Sequence, residues 1–203
     1  MSTSQRTKTT SERTTPRPSD SLRKAGRAAF VWVVVFEAFH VYWAFGGQFG
    51  FGDVPAAEMM SLKVDSLGSL VFAIINCVPW VVGTIVPLAL YQDWGRRVPA
   101  WMLTWCCWIG ALILLVRGVS SWIDTALRGT GLMHNGLTGL TYKQELGLTH
   151  PSFYTLCSWS AIDTYFTLGG VLFLIAGIAR RRSRRGTAVD PAAMNSVVSH
   201  DPA

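Results

Sequence analysis

The 203-residue chain predicts an all-α fold, an integral membrane four-helix bundle with a long extracytoplasmic loop between helices three and four. Three observations lead there. Four long apolar runs divide the sequence. Charged residues make up only 15% of it, against the quarter usual in a soluble domain. The first 27 residues and the last 24 hold 16 of the 30 charges, so the apolar middle is poorer still. One membrane domain over residues 27–180, with polar tails at 1–26 and 181–203, fits this distribution.

The first tail is rich in Ser, Thr and Arg and holds Pro16 and Pro18. It buries too little apolar surface to order itself and is expected to be disordered, as is the second tail. It is also too polar for a secretory signal, and no small-residue cleavage site follows the apolar run. The runs themselves are Ala28–Phe45, Leu67–Tyr91, Val98–Ile123 and Trp159–Ala179. At about 1.5 Å per residue they extend roughly 27–39 Å, enough to cross a hydrocarbon core of about 30 Å. Backbone in lipid must satisfy its own hydrogen bonds, so each run is a helix. Gly46-Gly47 is a stop signal for the first, and Pro79 should kink the second.

Basic residues flank the spans. Seven Lys/Arg precede the first and five follow the last, with Arg96 and Arg97 in the 92–97 turn. This asymmetry places both termini and that turn in the cytoplasm, with the protein in the plasma membrane. The tails lack aromatic residues, so no stacking platform for nucleic acid accompanies their charge; membrane lipids are the expected partners. Tyr42, Trp43, Tyr91, Trp94, Trp101, Trp122 and Trp159 lie near span ends and read as interfacial anchors. The 35-residue third loop, Asp124–Ser158, is long enough to be functional, and is expected to fold back over the outer mouth with a short helix near Tyr142–Leu146.

Each span carries one small or polar stripe at helical spacing. Glu37 and His40 mark the first, Asn76 and Trp80 the second, Arg117, Ser121 and Asp124 the third, and Asp163 with Thr167 and Gly170 the fourth. Small residues let helices approach and polar ones bridge them, so the stripes should face one another. Counted from each run's outer end, Glu37, His40, Asn76, Arg117 and Asp163 lie roughly 6–13 Å deep, in the outer half. Asp124 caps the third run at the surface. Intramembrane charge is expensive and marks functional sites by default. Arg117 with one carboxylate makes a neutral pair. A second carboxyl beside the His40 imidazole suits proton exchange. Two readings stand: an outward-facing pocket lined by Glu37, His40, Tyr42, Trp43, Asn76, Trp80, Arg117, Asp124 and Asp163, or a buried ion-pair network fixing helix register.

Cofactor and metal signals are absent. Glu37-x-x-His40 occurs once, whereas di-iron bundles need the motif twice with two further Glu. His134 and His150 in the third loop add no recognised spacing. The four cysteines form no C-x-x-C and read as inert.

The run from His40 to Gly50, HVYWAFGGQFG, resembles the signature of small actinobacterial membrane proteins grouped as domain of unknown function 3995, approximately His-x-Tyr-Trp-Ala-x-Gly-Gly. His40, Tyr42, Trp43, Ala44, Gly46 and Gly47 match it. The resemblance implies a four-helix integral membrane protein and assigns no activity; it marks the His40 segment as the hallmark. The third loop and tails exceed the family's usual length. The expected role is an accessory protein binding a lipophilic ligand or a membrane-protein partner. The alternative is a small membrane enzyme using Glu37, His40 and Asp163 for acid/base cyclisation or isomerisation of a lipophilic substrate.

Overall fold

The structure, a computed structural model, describes residues 19–55 and 66–187, apart from the side chains of residues 69, 72–77, 79 and 184–187. Regular structure among these is all helical: α1 Asp20–Ala44, α2 Leu67–Tyr91, a 3-10 helix Asp93–Arg97, α3 Ala100–Gly129, α4 Tyr142–Leu146 and α5 Phe153–Thr187. The segments 1–18 and 188–203, on which most of the expected tail disorder falls, lie outside the described residues.

Three helices, Asp20–Ala44, Ala100–Gly129 and Phe153–Ser183, are long and apolar enough to cross a membrane. The 25 residues of α2 include no charged side chain. Several helices outrun their apolar intervals. α1 starts at Asp20, inside the expected first tail, and α5 runs on to Thr187, inside the second. α3 continues past Ile123 to Gly129, so Asp124 is an internal helix residue rather than a cap. Hydropathy marks where a helix is greasy; capping marks where it ends. Ser152 shows this at the start of α5, where its hydroxyl accepts the Thr155 N–H at 3.2 Å, about two turns before the apolar run.

The outer surface is apolar. On α3, Trp101, Trp105, Ile109, Leu112, Val116 and Val119 are all 44–63% exposed. In water such a patch would drive association. In hydrocarbon it is the favourable surface, and only a narrow seam needs burial. That seam has three levels. Where α2 turns into α3, Leu22, Ala25, Val86, Ala89, Leu90, Leu103, Cys107 and Ala176 bring all four long helices together. Mid-height, Ala29, Trp32, Val33, Ala111 and Phe173 join α1, α3 and α5. At the opposite end, called here the loop end, Trp43, Phe51, Val54 and Leu146 pack with Trp159 and Ile162.

Two contacts set the helix spacing. Trp32 Nε1 donates to the Tyr165 carbonyl at 3.0 Å, and the Tyr165 hydroxyl donates back to the Trp32 carbonyl at 2.7 Å. Both polar tips are thereby satisfied inside the seam, with the rings stacked at 5.1 Å. Between α3 and α5, Gly118 lets the backbones meet: a Cβ there would lie 2.8 Å from the Asp163 carbonyl oxygen.

Loops close the loop end. Gly46 takes φ +86°, and its N–H bonds the Trp43 carbonyl while Gly47 N–H bonds that of Tyr42. That pattern terminates α1 as a left-handed cap. The chain then folds back under Trp43, whose Nε1 donates to the Phe49 carbonyl at 2.8 Å. Asp53 reaches the start of α5: its N–H donates to Thr155 Oγ1 at 3.0 Å, and that hydroxyl donates to Asp53 Oδ2 at 2.7 Å. The short helix expected in the third loop is α4, capped at Thr141 by a reciprocal bond with Gln144 and stopped by Gly147. Its Leu146 is buried in the loop-end cluster.

Two outcomes follow. Gly118→Leu should lower stability by about 1–3 kcal/mol or prevent accumulation, because the added atoms have no room between backbones. Gly129→Ala, where a Cβ meets nothing within 4 Å, should be neutral or slightly stabilising. Thermal unfolding in detergent measures both. Hydrogen bonds from the Ser152 and then the Thr155 hydroxyl hold the Asp53 carboxyl below its usual range. The sign is that of a depressed acid: its stabilisation is complete above the unfolded value and disappears as pH falls through the folded one. The melting-point gap between wild type and Asp53→Asn should therefore be constant from pH 7 to about 5 and narrow progressively as pH falls below about 4. A gap that widens or stays constant as pH falls below about 4 would contradict it.

Candidate functional site

At the loop end, α3 and α5 project beyond α1, and the 130–152 connection folds onto them. Between these elements lies a cleft of about 130 Å³ lined by Arg117, Ser121, Asp124, Arg128, Tyr142, Glu145, Trp159 and Asp163, among others. Its floor is an ion pair. Arg117 Nη1 sits 2.9 Å from Asp163 Oδ1 and also donates to Ser121 Oγ. The Asp163 side chain is 8% exposed and that of Arg117 44%. The Arg117 guanidinium also lies over the Phe166 ring, 5.3 Å from its centroid. An aspartate this deep would be costly alone; the guanidinium one helix away offsets that.

The upper wall is organised by Arg128, in the last turn of α3 and within the 124–158 segment that hydropathy alone assigns to the third loop. Its side chain is only 2% exposed. Nε donates to Asp124 Oδ2 at 2.6 Å and Nη2 to Glu145 Oε2 at 2.7 Å, and the guanidinium lies 4.7 Å from the Tyr142 ring centroid. Asp124 Oδ1 accepts the Leu137 N–H at 2.5 Å. Gly136, at φ +58°, passes so close that a Cβ would be 2.6 Å from the Asp124 carboxyl carbon. One buried cation thus ties the third loop to α3. Two buried donors on residues that line the cleft, Arg128 Nη1 and Trp159 Nε1, have no hydrogen-bond partner among the described residues.

Of the residues expected to form one pocket, Arg117, Asp124 and Asp163 line this cleft. Glu37, His40 and Trp80 do not; they form a second polar patch between α1 and α2. Glu37 Oε1 accepts from the Thr84 hydroxyl, which also lies 3.0 Å from the Trp80 carbonyl. Thr84 is two turns along α2 from Asn76, whose side chain lies outside the described residues. Depths counted from each helix's own end had placed Asn76 level with Glu37. The ends are not level, because α2 extends further at the loop end than α1 does.

His40 sits among aromatic rings at the α1–α2 contact. Its Nδ1 is 2.8 Å from the Phe36 carbonyl, and its ring lies 4.1 Å from Phe36, 4.3 Å from Trp80 and 5.1 Å from Trp43. Tyr42 and Trp43 were expected among interfacial anchors and pocket walls. Trp43 is instead buried, bonded to Phe49 and packed on Phe51 at 4.8 Å. Tyr42 is exposed, and its hydroxyl accepts the Phe49 N–H at 3.4 Å. Its ring covers Gly47, which has no space for a Cβ. The run from Tyr42 to Gly47 therefore builds the turn that follows α1.

No group of three or more His, Cys, Asp or Glu side chains among the described residues is placed to hold a metal ion. His134 and His150 are both exposed. Cys106, Cys107 and Cys157 are free thiols, Cys107 buried and Cys157 exposed.

A family model described as a protein of unknown function, DUF3995, matches residues 33–140. The match takes in the Glu37–His40 patch, Arg117, Asp124 and Arg128. The α5 side of the cleft, with Asp163, Trp159 and the Glu145 that closes on Arg128, falls beyond it. No curated protein and no solved structure matches the chain. Since the match spans just over half of the chain, the protein belongs to the DUF3995 family of proteins of unknown function.

Proposed function

We propose that the chain is a four-span plasma-membrane protein that holds a polar ligand group in the cleft between α3, α5 and the third loop. Both termini and the 92–97 turn lie on the cytoplasmic side in this reading, which the excess of Lys/Arg at those segments supports. The cleft then opens at the outer face. Its observation is the buried Arg128 guanidinium beside a cleft, with one nitrogen bearing no partner among the described residues. Buried donors are nearly always satisfied in folded proteins, and an unsatisfied one bordering a cleft of ligand size supports a binding role.

The acid/base alternative asks for Glu37, His40 and Asp163 around one substrate. Glu37 and His40 are engaged between α1 and α2 while Asp163 lines the cleft, so binding without chemistry has the stronger support.

Mass spectrometry of small molecules and lipids that co-purify with the protein tests this. Wild type should retain a compound that Thr125→Trp, a side chain built into the cleft wall, releases. Glu37→Gln should retain it. Equal retention by wild type and Thr125→Trp would remove the cleft from the account. Loss in Glu37→Gln alone would move the site to the α1–α2 patch.

A further inference from the structure

The cleft also carries information about what it accepts. We propose that its ligand group is uncharged and rich in hydroxyls, a sugar- or polyol-like headgroup. This rests on the reading that the cleft is a binding site.

Charge narrows the choice first. Two guanidinium groups, Arg117 and Arg128, face three carboxylates, Asp124, Glu145 and Asp163. With all five ionised the wall is already short of positive charge. A phosphate or carboxylate would add a further negative charge to a wall that already has more carboxylates than guanidinium groups.

Hydrogen bonding narrows it further. Arg128 Nη1 and Trp159 Nε1 are buried, and neither has a partner among the described residues. Guanidinium and indole nitrogens only donate. An ammonium group would relieve the charge imbalance, but it brings only donors and leaves both nitrogens unsatisfied. A hydroxyl accepts and donates at once. It takes a bond from Arg128 or Trp159 and gives one to Glu145 or Asp163, whose ionised carboxylates each have about four acceptor positions. Several hydroxyls on one small frame match a wall that carries both donors and acceptors.

Size agrees. A cleft of about 130 Å³ is close to the cavity volume that holds one six-membered ring. Position suggests a source. The cleft is built on the ends of two helices long enough to cross a membrane, which in this reading sets it beside the lipid headgroups. A headgroup on a lipid and a free sugar present the same chemistry, and the experiment separates them.

The full chain is purified in a polyoxyethylene detergent, which has no sugar head, and examined by native mass spectrometry. It is offered in turn monoglucosyl diacylglycerol, phosphatidylethanolamine, phosphatidic acid, plain diacylglycerol and free glucose. The glucosyl lipid should be retained at least fivefold more than the two phospholipids. Trp159→Phe leaves an aromatic ring beside Phe51, whose centroid is 5.5 Å from that of the indole, and removes the pyrrole part with its N–H. It should cut that retention about five- to tenfold, the effect of one hydrogen bond. Free glucose bound as well as the glucosyl lipid supports a soluble source; binding of the glucosyl lipid alone supports a membrane source. Phosphatidic acid or phosphatidylethanolamine retained as well as the glucosyl lipid overturns the hydroxyl assignment while leaving the cleft a binding site. No headgroup retained above plain diacylglycerol overturns both. Unchanged retention in Trp159→Phe removes Trp159 from the site and with it the donor argument.

Discussion

A charge inside an apolar helix pair must find its opposite, and the Arg117–Asp163 contact is where this chain meets that requirement. The two residues are 46 positions apart in sequence and 2.9 Å apart in space. The contact needs α3 and α5 at backbone distance, which Gly118 permits. It therefore fixes both the spacing and the register of the two longest helices. Once they are locked, their projecting ends stand side by side, and the third loop has a surface to fold on. Arg128 then draws that loop down through Asp124 and Glu145, and Leu146 seals it against Trp43 and Phe51. The cleft is what remains between the locked helices and the tethered loop.

The polar residues of the other two long helices serve a different end. His40 is enclosed by Phe36, Trp43 and Trp80, and Glu37 meets Thr84 across the α1–α2 contact. Beyond them, Tyr42, Trp43, Gly46 and Gly47 turn the chain back, so that Asp53 reaches Ser152 and Thr155. A histidine and a glutamate in a greasy helix invite a catalytic explanation. Here both lie at the α1–α2 contact, while the cleft is lined by arginines and carboxylates elsewhere.

Much of this was legible in the sequence, and the rest was hidden for physical reasons. The helical class and the apolar intervals follow from hydropathy. The pairing of Arg117 with a carboxylate follows from the cost of isolated charge in lipid. α4 was visible in the Tyr142–Leu146 stretch. Helix ends were not visible by the same means, because a helix continues through polar residues while its backbone bonds and caps are satisfied. Ser152 after a run containing Pro151 was the capping signal for α5. Missing the last turns of α3 had a larger consequence. Arg128 falls in the third loop by hydropathy, yet it lies one turn beyond Asp124 on the same helix face. Relative depth was hidden as well: Glu37 opposes Thr84 because α1 and α2 end at different heights, which counting along each helix cannot show. Trp32 was missed because an indole deep in a seam needs a carbonyl partner, Tyr165, that lies 133 residues away.

The most direct measurement of the central claim is a double-mutant cycle on the ion pair, read as unfolding stability of the purified protein. Arg117→Met should be strongly destabilising, by about 3 kcal/mol, since it leaves the buried Asp163 carboxylate without its partner, and Asp163→Leu should cost less, since the Arg117 side chain is 44% exposed. The double variant, with no charge left to pair, should regain most of that loss. If instead the two losses add, Arg117 and Asp163 act independently, and the pair does not hold the helices in place.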